Sequence, residues 1–166
     1  FPDGLTALGS SVFTGCTNLA SVTLGNSITI IGNNAFAGCR SLTNLTIPDS
    51  VTTIGSSAFQ GCRSLTSLTI PENVTGLGSY TFDSCAGLAS VTIGNSVTNV
   101  GYAAFAGCAN LTEATLGDSM TSIGDAAFNS CTSLTSVTIP NSVTTIGSSA
   151  FYNCTNLASA AFGSSL

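Results

Sequence analysis

Seven cysteines are the most reactive side chains of this chain, and they recur at a fixed interval of 23 residues. If successive coils stacked, neighbouring Cα atoms would lie about 4.8 Å apart, within the range of a disulfide. Their Cβ atoms would run parallel, however, and an odd number cannot all pair. A zinc site is also disfavoured, because the chain has no C-x-x-C motif and no histidine. We therefore predict buried thiols that pack as small hydrophobic side chains. The column comprises Cys16, Cys39, Cys62, Cys85, Cys108, Cys131 and Cys154.

The other groups that could perform catalysis are scarce. The absence of histidine removes the usual general base, and the absence of lysine removes amine nucleophiles. Asp49 and Glu72 occupy equivalent repeat positions and could form a carboxylate pair of the glycosidase kind, but we interpret them as turn residues on the rim. Arg40 and Arg63 could contact an anion, and we interpret them as a solvated pair. We predict no enzymatic activity, no cofactor and no metal.

Charge is sparse throughout the sequence. Only 5% of the residues are charged, and the net charge is −5. This balance argues against a nucleic-acid partner and against an electrostatic grip on anionic lipid, since both rely on clustered lysine and arginine. No apolar run approaches the ~18 residues of a membrane span, so we expect no direct membrane insertion. Solubility must then come from hydroxyl and amide side chains on the surface.

Threonines form two columns at the same interval. We define the Ser/Thr face as the first threonine column together with the mostly polar column two residues before it. Its predicted binding residues are Ser21, Thr23, Asn44, Thr46, Ser67, Thr69, Ser90, Thr92, Glu113, Thr115, Ser136 and Thr138. The second threonine column contains Thr29, Thr52, Thr75, Thr98, Thr121 and Thr144. Threonine is β-branched and favours strands, so a purely structural role for both columns stays open.

Apolar residues repeat with the same period and must position these columns. Phenylalanine recurs every 23 residues from 13 to 151, leucine from 19 to 157 and glycine from 9 to 147. A single repeat cannot bury its apolar side chains alone, so the copies must stack. At about 4.8 Å per coil, seven coils give a rod or shallow horseshoe about 35 Å long. Beside the central cysteines, the predicted core contains Phe36, Phe59, Phe82, Phe105 and Phe128.

Residues 48–70 illustrate the local structure of one repeat. The L-x-x-L-x-L pattern that ends at Ile70 predicts a strand of a parallel sheet, with Leu68 and Ile70 inward and Ser67 and Thr69 outward. Residues 51–54 predict a second short strand in each coil. We expect Gly55 to close it with a positive φ.

The segment A-F-x-x-C at residues 58–62 has apolar side chains at roughly helical spacing. It predicts one helical or 3-10 turn in each coil.

The repeat resembles the BspA-type leucine-rich repeat family, with the unit L-x-x-[VIL]-x-[IL]-P-x-x-V-T-x-I-G-x-x-A-F-x-x-C. Residues 134–154 match that pattern throughout, and the resemblance extends over essentially the whole chain. It implies a β-rich leucine-rich repeat solenoid. It also implies similarity to bacterial and protist surface or secreted proteins, some of which are adhesins, and it supplies no shared catalytic residues.

Together these features predict one solenoid domain over residues 1–166, part of a longer array. Its expected function is extracellular or cell-surface binding of protein or glycan through the Ser/Thr face. Two alternatives stay open: an ice-binding protein that uses stacked threonines, and a structural spacer. Aromatic residues typical of binding hot spots are few, because Tyr80, Tyr102 and Tyr152 follow no period.

Overall fold

A computed structural model describes residues 4–162, so the first three and last four residues of the predicted domain lie outside the described part. Its strands pair in parallel, and each pair joins equivalent positions of successive coils, as Leu68 pairs with Val91. The chain is therefore a parallel β-solenoid with a 23-residue coil, which confirms the predicted fold. We number the coils 1 to 7 from residue 2, so that coil 3 is 48–70 and coil 7 is 140–162.

One wall of the solenoid is a continuous ladder of two-residue strands, one from each coil. These are the strands expected at residues 51–54 and their equivalents, but only the last two residues of each segment are extended. They are β1 (Ala7–Leu8), β3 (Ile30–Ile31), β5 (Thr53–Ile54), β7 (Gly76–Leu77), β9 (Asn99–Val100), β11 (Ser122–Ile123) and β13 (Thr145–Ile146).

The other wall consists of the longer L-x-x-L-x-L strands and carries the Ser/Thr face. Its ladder has three parts: β2 pairs with β4, β8 pairs with β6 on one side and β10 on the other, and β12 pairs with β14. The alternation predicted for residues 67–70 is observed: Ser67 and Thr69 are exposed, whereas Leu68 and Ile70 are buried. The strands are β2 (Ser21–Thr23), β4 (Asn44–Thr46), β6 (Ser67–Ile70), β8 (Ser90–Ile93), β10 (Glu113–Thr115), β12 (Ser136–Ile139) and β14 (Ser159–Phe162).

Phenylalanine rings form the axis of the core. Successive rings from Phe13 to Phe151 stack with centroids 5.2–5.3 Å apart and interplanar angles of 13° or less. The five central rings, Phe36, Phe59, Phe82, Phe105 and Phe128, are fully buried. Apolar side chains from both walls surround them, so each coil completes its core only through its neighbours.

The predicted helical or 3-10 turn is wrong, because the described residues of this segment form successive β-turns. In coil 2, the N–H groups of Ala35, Ala37 and Cys39 bond to carbonyls three residues earlier in the same coil. The alternate N–H groups of Phe36 and Gly38 instead reach coil 3, where they bond to Ala58 and Gln60. A helix requires every N–H to bond along its own axis, and here every second one stabilises the stack.

The expected positive φ at Gly55 is also wrong. Positive φ values occur two and six residues later, as at Ser57 (54°) and Gly61 (70°). Gly55 is required for another reason: a Cβ there would lie 2.6 Å from the backbone N of Asn33 and 2.8 Å from the backbone C of Gly32. The glycine column therefore lets successive coils approach closely.

Candidate functional site

Outward side chains of the longer strands form the Ser/Thr face. Because side chains alternate along a strand and adjacent strands pair in register, each residue type stands above its equivalent in the next coil. The hydroxyls of Thr46, Thr69, Thr92, Thr115 and Thr138 are exposed and have no hydrogen-bond partner within residues 4–162. The backbone here is engaged in the strand ladder, which leaves these hydroxyls available to a ligand or to water. Thr23 is exposed as well, and it has an interaction of its own within the chain.

The column beside these threonines is polar and mostly exposed. Ser21, Asn44, Ser67, Glu113 and Ser136 are exposed, and Ser90 is half-buried. Asn44 donates a hydrogen bond from Nδ2 to the hydroxyl of Thr43, 3.3 Å away. The structure therefore brings all twelve predicted binding residues onto one wall, with Glu113 as the charged residue among them.

Shallow grooves lie along this face. One, of about 270 Å³, lies where β4 and β6 are not paired and is lined by Thr46, Ser67 and Thr69. Another, of about 310 Å³, lies at the equivalent gap between β10 and β12 and is lined by Glu113, Ser136 and other residues. A third, of about 340 Å³, lies over the paired strands β2 and β4, so grooves occur along the face whether or not the neighbouring strands pair.

The second threonine column differs in its chemistry, although it is equally exposed. The hydroxyl of Thr98 donates to the carbonyl oxygen of Thr75 at 3.0 Å, and that of Thr121 donates to Thr98 at 3.0 Å. The equivalent bonds of Thr29, Thr52 and Thr144 are 3.1–3.3 Å long. Here the threonine precedes its short strand, and its hydroxyl reaches the carbonyl of the previous coil. The hydroxyls of these threonines therefore stabilise the stacking of the coils.

The cysteine column lies mostly in the interior, and its seven thiols form no disulfide with one another within residues 4–162. Cys39, Cys62, Cys85, Cys108 and Cys131 are buried, Cys154 is half-buried and Cys16 is exposed. Each buried thiol donates to the carbonyl oxygen of a core phenylalanine in the preceding coil, as Cys85 does to Phe59 at 3.1 Å. Burial, reinforced by the neighbouring thiol of Cys39, raises the pKa of Cys62 from its usual 9.0 to about 12. These thiols are therefore neutral and poorly nucleophilic.

The carboxylates and arginines that could have formed a catalytic or anion site lie on the exposed rim. The Glu72 carboxylate accepts a hydrogen bond from the backbone N–H of Asn95 at 2.7 Å, which is a turn-stabilising role. Asp49, Arg40 and Arg63 are exposed.

Within residues 4–162, no group of three or more metal-ligating side chains is arranged to hold an ion. No helix in that range has the length and apolar content that a membrane crossing requires.

Two tyrosines that follow no period in the sequence meet on the turn flank between the walls. The rings of Tyr80 and Tyr102 lie edge to face, with centroids 5.1 Å apart and an interplanar angle of 73°. Desolvation, a hydrogen bond with Tyr102 and the charge of Asp83 together raise the pKa of Tyr80. The signal available in the sequence was the departure of both residues from the repeat pattern, at positions that become neighbours only when the coils stack.

Comparison with known proteins agrees with this architecture. The family model described as "BspA type Leucine rich repeat region (6 copies)" matches residues 1–112 and again residues 52–166. None of the curated proteins compared matches the chain.

Several solved structures share the fold. A leucine-rich repeat protein from Bacteroides ovatus is 30% identical, with a TM-score of 0.80, and the match covers 99% of this chain and 48% of that one. The Treponema pallidum leucine-rich repeat protein is 31% identical, with a TM-score of 0.85, covering 94% of this chain and 74% of that one. A leucine-rich repeat protein from Eubacterium ventriosum is 26% identical, with a TM-score of 0.81, covering 92% and 44%. This chain thus spans about half the length of the B. ovatus protein. The chain described here belongs to the BspA-type leucine-rich repeat family.

Proposed function

We propose that this chain is a non-enzymatic binding module, displayed outside the cell or on its surface, that holds protein or glycan ligands on its Ser/Thr face. One observation carries the proposal: the hydroxyls of Thr46, Thr69, Thr92, Thr115 and Thr138 are exposed and have no hydrogen-bond partner in the described part of the chain. Most hydroxyls of the second threonine column instead donate to the neighbouring coil. A hydroxyl without an internal partner can bond a ligand at no cost to the fold. The family membership supports this function class, since leucine-rich repeats are generally binding modules.

The shape and charge of the face suit a broad, polar ligand. Shallow grooves along the face make its surface uneven without enclosing a small molecule. Most of its residues are neutral hydroxyl or amide groups, so binding would rest on many modest hydrogen bonds rather than on one charged contact. Repetition over several coils would then raise the avidity for a ligand that is itself repetitive.

The test compares two variants of equal net charge. Thr46→Lys/Thr92→Lys alters the Ser/Thr face, and Thr52→Lys/Thr98→Lys alters the second threonine column. Each protein is applied to immobilised extracellular matrix proteins and to an array of cell-surface glycans. We expect the unchanged chain and the second-column variant to retain the same ligand, and the face variant to bind it about tenfold or more weakly, a loss of about 1.4 kcal/mol.

An equal loss in both variants would place the binding surface elsewhere. Retention of no ligand would contradict the proposal and favour the structural spacer. Thermal hysteresis in a freezing assay, abolished by Thr92→Tyr, would instead support the ice-binding alternative and contradict this proposal.

A further inference from the structure

Tyr80 and Tyr102 stand out because they break the repeat in adjacent coils. At the position of Tyr80, the other six coils carry serine, asparagine or alanine, and at the position of Tyr102 they carry serine, asparagine or aspartate. Packing of the coils therefore does not require a ring at either position. The two exceptions nevertheless contact each other, with ring centroids 5.1 Å apart.

The backbone makes Tyr80 a costly exception. Its φ is 58°, in the left-handed region that small residues occupy in the other coils. This conformation belongs to the repeat, since the equivalent residues of all seven coils have φ between 51° and 61°. A bulky side chain is disfavoured there, so the tyrosine is the departure from the pattern. The strain is not offset by deep burial, because Tyr80 is 39% exposed and Tyr102 is 48% exposed.

Asp83 lies close to Tyr80, because its backbone N–H donates a hydrogen bond to the carbonyl oxygen of Tyr80 at 3.1 Å. Oδ2 of Asp83 accepts hydrogen bonds from Nε2 of Gln60 at 2.9 Å and from Oγ of Ser84 at 3.2 Å. These neutral donors fix the carboxylate and leave its charge uncompensated, and Oδ1 has no hydrogen-bond partner in the described part of the chain. The two arginines of the sequence lie in coils 2 and 3, at a different position of the repeat, and there is no lysine.

We propose that Tyr80, Tyr102 and Asp83 form a docking site for an arginine or lysine side chain of a partner protein. A cation is attracted to the face of a tyrosine ring, and both rings of this edge-to-face pair are partly exposed to solvent. The free oxygen of Asp83 completes the site with a charge-assisted hydrogen bond. This site lies on the turn flank, away from the Ser/Thr face, so it does not depend on the function proposed for that face.

The test uses an arginine peptide, acetyl-Gly-Arg-Gly-amide, and its neutral citrulline counterpart. Binding to the unchanged chain is followed by NMR of ¹³C-labelled tyrosine, which gives one set of ring signals for each of its three tyrosines. We expect the arginine peptide to shift the signals of Tyr80 and Tyr102 saturably, to leave Tyr152 unshifted, and the citrulline peptide to produce no saturable shift. Tyr80→Ser/Tyr102→Ser keeps only Tyr152, so binding to this variant is followed through the signals of a ¹³C-labelled arginine peptide instead. Binding should be about 5- to 30-fold weaker, from the attraction of two exposed rings.

The variants use residues that other coils already carry at these positions, so the fold is preserved; thermal unfolding checks this. Asp83→Asn, which copies Asn129, should weaken binding and reduce its salt dependence. Tyr152→Asn, the matched control in coil 7, should leave the affinity unchanged. Equal shifts with the citrulline peptide, or unchanged affinity in the double serine variant, would overturn the proposal. So would shifts of Tyr80 and Tyr102 by a neutral oligosaccharide, maltohexaose, without any response to the arginine peptide.

Discussion

Replacing phenylalanines of the core by leucine tests whether stability is transmitted only between adjacent coils. Phe82 is fully buried and stacks on Phe59 and on Phe105, each with centroids 5.3 Å away. Phe82→Leu keeps the site apolar but removes two aromatic contacts, each worth about 0.5–1.5 kcal/mol. We therefore expect the free energy of unfolding to fall by about 1–3 kcal/mol.

The decisive quantity is the coupling between two such substitutions. Phe82→Leu and Phe105→Leu each remove two ring contacts, but they share one, so the double variant loses three contacts rather than four. The double variant should thus be less destabilised than the sum of the single ones by about 0.5–1.5 kcal/mol. Phe36→Leu with Phe105→Leu is the matched control, because these rings share no neighbour, and its effects should add.

Urea unfolding followed by far-UV circular dichroism and by tyrosine fluorescence gives these free energies. Strict additivity of the adjacent pair would refute the reasoning. Coupling of equal size in the separated pair would refute it as well, since it would show that stability is not a sum over neighbouring coils.

Two further predictions concern hydroxyls and thiols. Thr98→Val removes the 3.0 Å hydrogen bond to Thr75 and should cost about 0.5–1.5 kcal/mol in urea unfolding, whereas Thr92→Val should cost almost nothing; equal costs would contradict the distinction between the columns. Burial raises the pKa of Cys62 and of Cys131 from 9.0 to about 12. The neutral thiols therefore contribute fully to the free energy of unfolding below pH 9, and this contribution is lost as the pH rises toward 12. The free energy of unfolding should fall over that window by up to about 1.4 kcal/mol per pH unit for each buried thiol, and a Cys62→Ala/Cys131→Ala variant with an unchanged slope would contradict it.

The repeat period allowed much of the fold to be predicted from the sequence. Residues at the same position of each repeat must share one environment once the coils stack, so the burial of Phe59 and Cys62 and the exposure of Thr69 followed from the pattern. The alternation of residues 67–70 then fixed which wall faces solvent.

The two wrong local predictions, the helical turn and the positive φ of Gly55, arose because one sequence pattern is compatible with more than one local structure. Apolar residues three apart, as at Phe59 and Cys62, suit a helical turn and also suit consecutive β-turns. What selects the turns is that Phe59 donates its N–H to Thr81 in the next coil, a contact between residues distant in sequence. Gly55 was similarly assigned to a special φ, but its requirement comes from the backbone of coil 2, which the pattern within one repeat does not reveal.

The candidate site could be predicted as a set of residues but not in its chemistry. Both threonine columns were visible in the sequence, and both are exposed. Only the positions of the carbonyls in neighbouring coils showed that Thr98 uses its hydroxyl internally and that Thr92 does not. The contact between Tyr80 and Tyr102 was missed because they are 22 residues apart, one short of the repeat, and they meet across the gap between two coils.

Thiol labelling of the native protein tests most directly that the coils stack in register around a closed core and leave a polar exterior. Iodoacetamide at pH 8, followed by mass spectrometry of the peptides, reports each cysteine separately. Cys16 should be modified readily, whereas Cys62, Cys85, Cys108 and Cys131 should react only after unfolding in urea. Rapid modification of the four interior thiols in the folded protein would contradict the stacked core on which the Ser/Thr face depends.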